Sequence, residues 1–147
     1  MNKILNNESI STDEFLSLGL ANSYDSVIYD LLKNPKCPIE ILKQFLGHHL
    51  KLNLTYRILS NPSCPVDILI KYSNSSDPMD RGAVAHNPNT PVEIIKKLSH
   101  DKNHQVRLNL VANNHNANVT REVLETLSKD KDTFIANDAK EKLKKLQ

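Results

Sequence analysis

Tryptophan is missing from this 147-residue chain, aromatic residues make up only 5% of it, and glycine occurs three times. With glycine confined to Gly19, Gly47 and Gly82, no Gly-rich loop is present to cradle a phosphate, and neither Gly-x-Ser-x-Gly nor His-Glu-x-x-His occurs. The shortage of aromatic side chains leaves few platforms on which nucleobases would stack. No apolar run approaches the roughly 18 residues of a membrane-spanning helix, and the start, Met1 to Glu8, lacks the apolar stretch of a secretory signal. Charge of one sign is absent too. Nineteen basic residues face 17 acidic ones, and residues 1–50, 51–100 and 101–147 carry −2, +2 and +2. That gradient is too shallow for a nucleic-acid tail or a polybasic membrane anchor. These absences predict a cytoplasmic protein without membrane contact, a monomer or weak homo-oligomer. It has no assigned catalytic, cofactor-binding or metal-ligating residue.

What the chain does have is one phrase written three times. It reads Asn34-Pro35-Lys36-Cys37-Pro38-Ile39-Glu40-Ile41, then Asn61-Pro62-Ser63-Cys64-Pro65-Val66-Asp67-Ile68, then Asn87-Pro88-Asn89-Thr90-Pro91-Val92-Glu93-Ile94. The copies are 27 and then 26 residues apart. A fixed period in this range marks a stack of small units, none able to bury its apolar face alone.

Each phrase contains a helix stop followed by a helix start. The first proline disfavours the α region for the asparagine before it, so Asn34, Asn61 and Asn87 end the preceding helices. The second proline, at 38, 65 and 91, fits the first helical position, which puts Cys37, Cys64 and Thr90 at the N-cap. Glu40, Asp67 and Glu93 follow three residues after each cap, and Thr90-Pro91-Val92-Glu93 spells a capping box. Apolar residues then recur at helical spacing: Ile39, Leu42, Phe45 and Leu46; Val66, Leu69 and Tyr72; Val92, Ile95 and Leu98. Shorter apolar segments precede each asparagine: Val27, Ile28, Leu31 and Leu32; Leu54, Ile58 and Leu59; Ala83 and Val84. A unit is therefore a short helix, partly 3₁₀ where it is shortest, then a tight turn and a second helix.

Degenerate copies flank the clear ones. Val106 to Asn113 matches a first helix; its turn, Asn114 to Asn118, has lost both prolines and gained about three residues relative to the phrase pattern. A second helix follows from Thr120 to Leu127, and Ser11 to Leu16 has the cap, acid and apolar pair of another. Thr133 to Lys145, with Phe134, Ile135, Ala139, Leu143 and Leu146 apolar, closes the stack. The predicted architecture is one all-α repeat domain over 1–147. It comprises an N-terminal unit at 1–22, repeats at about 23–49, 50–76, 77–101 and 102–130, and a capping helix at 131–147, coiled as an α-solenoid.

The third copy, extended as Arg81-Gly82-Ala83-Val84-Ala85-His86-Asn87-Pro88-Asn89-Thr90-Pro91 and on to Leu98 and Asp101, resembles the leucine-rich repeat variant family. Those repeats run Arg-x-x-Val-Ala-x-Asn-Pro-x-Thr-Pro-x-x-Leu-x-x-Leu-x-x-Asp. The match is close over 81–101, good over 27–46 and 54–72, and loose over 104–130. The resemblance implies HEAT-like helix pairs, α with α or with 3₁₀, in a right-handed superhelix. It implies an interaction module rather than an enzyme. An iron–sulfur cluster known in the family is not implied, because Cys37 and Cys64 are the only cysteines and do not cluster.

The remaining constellations each have a structural and a functional reading. Cys37 and Cys64 occupy one slot in successive units; a disulfide needs α-carbons within about 7 Å, whereas helical layers lie roughly 8–10 Å apart. They read as reduced structural thiols rather than nucleophiles. His48-His49 and His100-x-x-x-His104 have metal-like spacing but too few ligands. Asn34, Asn61, Asn87 and Asn113 either form a ladder reading a peptide or satisfy their own turns, and turn chemistry is favoured. Arg57, Arg81 and Arg107 lie on successive first helices, either as an anion stripe or as partners of Asp30, Asp80 or Asp101. Lys43, Lys71, Lys96 and Lys97 lie on the second helices. The predicted function is a non-enzymatic scaffold that binds another protein, with Arg57, Arg81, Arg107, Lys71 and Lys97 as its partner-binding residues. The alternative is a nucleic-acid-binding solenoid using the same weak Lys/Arg stripe.

Overall fold

The structure is a computed structural model that describes residues 30, 32–46, 54–112 and 116–146. The expectations placed on Ser11 to Leu16, Val27, Ile28, Leu31, His48, His49 and Asn113 lie outside the described residues. Among the described residues there are eight helices, all α, and no strand, so the chain is all-α. The helices are α1 (Ile39–Phe45), α2 (Leu54–Ser60), α3 (Val66–Tyr72), α4 (Pro78–His86), α5 (Val92–Leu98), α6 (His104–Ala112), α7 (Arg121–Leu127) and α8 (Thr133–Lys145). The 3₁₀ geometry expected of the short first helices is not seen among them. At seven to nine residues, α2, α4 and α6 are too long for a mode that rarely persists beyond one turn. No helix among the described residues is long and apolar enough to cross a membrane.

The chain divides into two compact units, Met1–Cys64 and Pro65–Gln147. In the first, α1 packs against α2, and Leu32, Ile41, Leu42, Phe45, Leu54, Ile58 and Leu59 are buried around the two thiols. In the second, α4 and α6 share the largest interface, and α8 covers both α6 and α7. Its core holds Leu69, Val84, Ile95, Leu98, Val106, Leu110, Val123, Leu127 and Ile135. Gly82 on α4 faces Asn109 on α6. Asn109 Nδ2 donates to Gly82 O at 2.9 Å, and a Cβ on residue 82 would lie 3.0 Å from that nitrogen.

Several sequence expectations need correction. The second helices begin one residue later than the spacing predicts. Pro38, Pro65 and Pro91 have φ near −60° but ψ of 138°, 143° and 149°, so each proline is the N-cap rather than the first helical residue. Its carbonyl accepts the first helical N–H groups, as Pro91 O does from Ile94 and Ile95 at 3.0 Å. A cap residue's own N–H lies outside the helix, so proline costs little there. Thr90 therefore forms no capping box; its hydroxyl points backward and donates to Val84 O at 2.6 Å. Side-chain caps belong instead to the first helices. Asp77, Asn103 and Asp132 accept from Met79, Gln105 and Phe134 N–H at 2.8, 2.8 and 2.9 Å. The late start also turns Ile39 and Val66 outward, at 43% and 45% exposure, while Leu42 and Leu69 behind them are fully buried. At the chain's end Phe134 and Leu146 are exposed, because Ile135 and Ala139, one turn apart, define the buried stripe of α8.

Candidate functional site

The turns repeat bond for bond. Asn34, Asn61, Asn87 and Asn116 each use their carbonyl to accept the N–H three residues on, from Cys37, Cys64, Thr90 and Val119, at 2.9–3.2 Å. Each Oδ1 accepts the N–H two residues on, from Lys36, Ser63, Asn89 and Asn118, at 2.7–2.9 Å. Asparagine fits because its side chain closes a local turn while extended backbone, φ −71° and ψ 128° at Asn87, satisfies the proline that follows. The fourth turn corrects the sequence register. Asn116 makes the turn bonds, and Thr120 stands where the others have proline. Thr120 has φ −72° and ψ 167°, and its buried hydroxyl has no hydrogen-bond partner among the described residues.

The amide ends of these side chains reach back along the chain. Asn61 Nδ2 donates to Leu32 O at 2.6 Å and Asn34 O at 2.8 Å, and Ser63 Oγ to Pro35 O. Asn116 Nδ2 donates to Asn87 O at 2.8 Å, and Asn118 Nδ2 to Thr90 O at 2.9 Å. The asparagines thus close their own turns and also satisfy the carbonyls of the turn about one period earlier. Sequence reasoning favoured turn closure over a peptide-reading ladder; the turn bonds are present, and the amides of Asn61 and Asn116 also reach the preceding turn, a use it did not anticipate.

The arginines do the same at the opposite ends of the helices. Arg81 forks onto Asp101, Nε to Oδ2 at 2.6 Å and Nη2 to Oδ1 at 2.9 Å, with Nη1 on Ser75 O at 2.8 Å. Arg107 forks onto Asp130 at 2.6 and 2.9 Å, and its Nη1 donates to Asp101 O at 2.7 Å. All four side chains are at most 9% exposed. Hydrogen bonds from Arg107 hold the Asp130 carboxyl below its ordinary value against the cost of burial. Burial pushes Asp101 up, but the Arg81 bonds, the Asn103 N–H and the Arg81 charge together outweigh it and hold it low. Of the anticipated partners, Asp101 does pair with Arg81; Asp80 accepts from Ser75 Oγ at 2.7 Å instead.

Around these forks the loops after α3, α5 and α7 share one design. Ser73, Ser99 and Ser128 end the helices in αR conformation. Their hydroxyls donate to Ile70, Lys96 and Glu125 O at 2.7–2.8 Å. In Ser99-His100-Asp101-Lys102 and Ser128-Lys129-Asp130-Lys131 the aspartate is drawn inward to its arginine, while the residue on either side is exposed. Two open grooves lie along this edge. One of about 500 Å³ is lined by Ser73 to Ser76, Arg81 and Lys97; the other, of about 410 Å³, by Arg107, Thr126, Lys129 and Lys131. His100, Asp101 and Lys102 border both. Sequence reasoning missed Lys102, Lys129 and Lys131; their signal was the Ser-x-Asp-Lys repeat, spaced 29 residues apart.

The other singled-out residues are scattered. Lys97, on the groove edge, donates to Ser73 O at 3.0 Å and Asn74 Oδ1 at 2.6 Å. Lys71 is exposed, 5.8 Å from the Tyr72 ring centre. Arg57 is half-buried in the last turn of α2. His100 sits in a turn and His104 opens α6, so no single helix face carries both. Cys37 and Cys64 are buried thiols not joined in a disulfide, and burial pushes Cys37 up to about 12. Compared with family models, curated proteins and solved structures, the chain finds no match.

Proposed function

We propose that this chain is a short, cytoplasmic, right-handed α-solenoid of the leucine-rich-repeat-variant, HEAT-like kind, and that it works as a non-enzymatic scaffold for another protein. The observation that carries this reading is the recurrence of one bond set at four turns, with amides that reach back 27 to 29 residues from the second turn to the first and from the fourth to the third. Repeated polar residues used this way fix the geometry of successive helix pairs and leave variable outward faces to carry specificity. Support for nucleic-acid binding through Arg57, Arg81, Arg107, Lys71 and Lys97 is thinner, since the Arg81 and Arg107 forks already hold buried aspartates.

Cross-linked affinity capture of the full chain tests the proposal. The expected result is recovery of a protein partner that survives nuclease treatment and moderate salt. Recovery of nucleic acid, released steeply between about 50 and 200 mM salt, overturns it.

A further inference from the structure

The charges along the loop edge do not cancel locally. Asp101 and Asp130 are both turned inward and fully engaged by arginine forks. Asp132 caps α8 through the Phe134 N–H and leaves one negative charge on this edge, against four lysines. On the open side stand His100, Lys102, Lys129 and Lys131, all exposed and in no salt bridge among the described residues. Lys97 adds a fifth side chain; it donates only to neutral oxygens, so its charge also remains uncompensated. Each aspartate is held inward by its arginine, while the residues before and after it in the turn are exposed.

Resting on the scaffold reading above, we propose that this edge of the Pro65–Gln147 unit is the docking groove for an acidic peptide segment, one rich in Asp and Glu, laid across the loops after α5 and α7. Charge complementarity selects the occupant. The two grooves meet at His100 and Lys102 and are open, with Leu98 the one apolar residue among those lining them, unlike the enclosed apolar pockets that hold small molecules. No aromatic side chain lines either one, which removes the stacking that single-stranded nucleic acid uses. The loop after α3 carries Asn74 and Ser76 at the corresponding places, so the groove is most basic at the α7 end and has Lys97 as its one lysine at the α3 end. A bound segment has its acidic residues over Lys102, Lys129 and Lys131.

Fluorescence anisotropy on the full chain tests this with a labelled Glu/Asp-rich peptide, its Gln/Asn counterpart and an oligonucleotide of equal charge. The peptide binds, its neutral counterpart does not, and Lys102→Glu/Lys131→Glu weakens binding at least about tenfold. Lys140→Glu/Lys145→Glu, which changes net charge equally on α8 outside the grooves, leaves binding unchanged. Lys102→Gln/Lys131→Gln gives an intermediate loss, and far-UV circular dichroism verifies that each variant is folded. Absence of peptide binding, equal loss in the α8 control, or tighter binding of the oligonucleotide overturns the groove. The scaffold reading fails separately. If capture recovers a protein partner that the groove variant still binds, only the groove proposal falls; if capture recovers no protein, the scaffold falls with it.

Discussion

Replacing Arg107 by alanine should be among the most destabilising single changes in the Pro65–Gln147 unit. The guanidinium makes two bonds to Asp130 and one to the Asp101 carbonyl, and both side chains of the pair are at most 7% exposed. Removing it strands a buried carboxylate whose other donor among the described residues is the Asp132 N–H. Losing one partner of such a pair costs about 3–5 kcal/mol, and with a urea slope of about 2 kcal/mol/M the midpoint should fall by about 2 M. Circular dichroism is the suitable probe, because the chain has no tryptophan. Arg107→Met with Asp130→Leu, which removes both charges while keeping bulk, should return to within about 1–2 kcal/mol of the parent. Raising the salt concentration should recover little, since the pair is screened from solvent. The acid limb supplies a further control. Asp130 is held below its ordinary value, so its contribution is complete above the unfolded value near 4 and disappears as the pH falls through the lower folded one. Parent and Arg107→Ala should therefore converge in acid. An alanine variant within about 1 kcal/mol of the parent at neutral pH, or a double-mutant cycle with no coupling, would refute the reasoning.

Four further outcomes are expected. With Cys37 raised from 9.0 to about 12, its contribution is complete below the unfolded value and shrinks as pH rises toward the folded one, by up to about 1.4 kcal/mol per pH unit. Cys37→Ala should lose that alkaline slope in matched melts, and rapid alkylation of Cys37 in native protein would contradict it. Asn61→Asp keeps the acceptor for Ser63 N–H but aims a carboxylate at two carbonyls. It should destabilise more than Asn61→Ala, and the reverse order in urea would show that the backward bonds matter little. Ile95→Ala should cost about 2–5 kcal/mol as a fully buried truncation, and a parent-like melt would displace Ile95 from the core. Thr120→Pro should stabilise by about 0.4–1 kcal/mol or more, since φ −72° already suits proline and the unpartnered hydroxyl disappears; a lower melting temperature would count against the turn equivalence.

Much of this was legible in the sequence because proline and asparagine act locally. The helix ends at Ser60 and His86 follow from the clash between a proline ring and the residue before it. The apolar spacing gave the buried positions Leu42, Leu69, Ile95 and Leu98. The helix starts slipped by one residue because proline tolerates both the N-cap and the first helical position, and only ψ separates them. Arg107 and Asp130, 23 residues apart, could not be paired from local pattern alone. The lysines of the groove were obscured for a similar reason: each sits beside an acid, and a sequence cannot tell that the acid faces inward.

The Asn-Pro junctions described above also bear on how the protein ages. An asparagine amide normally deamidates when the next backbone nitrogen attacks the side-chain carbonyl, and a proline nitrogen, carrying no N–H, does not support that cyclisation. Asn34, Asn61 and Asn87 are each followed by proline, so the turn-closing amides there are chemically long-lived as well as structurally engaged. Asn116 is followed by Ala117 and lacks that protection. Conversion of Asn116 to aspartate would turn its donor toward Asn87 O into an acceptor, making the turn that lost its prolines the one of the four open to this chemical wear.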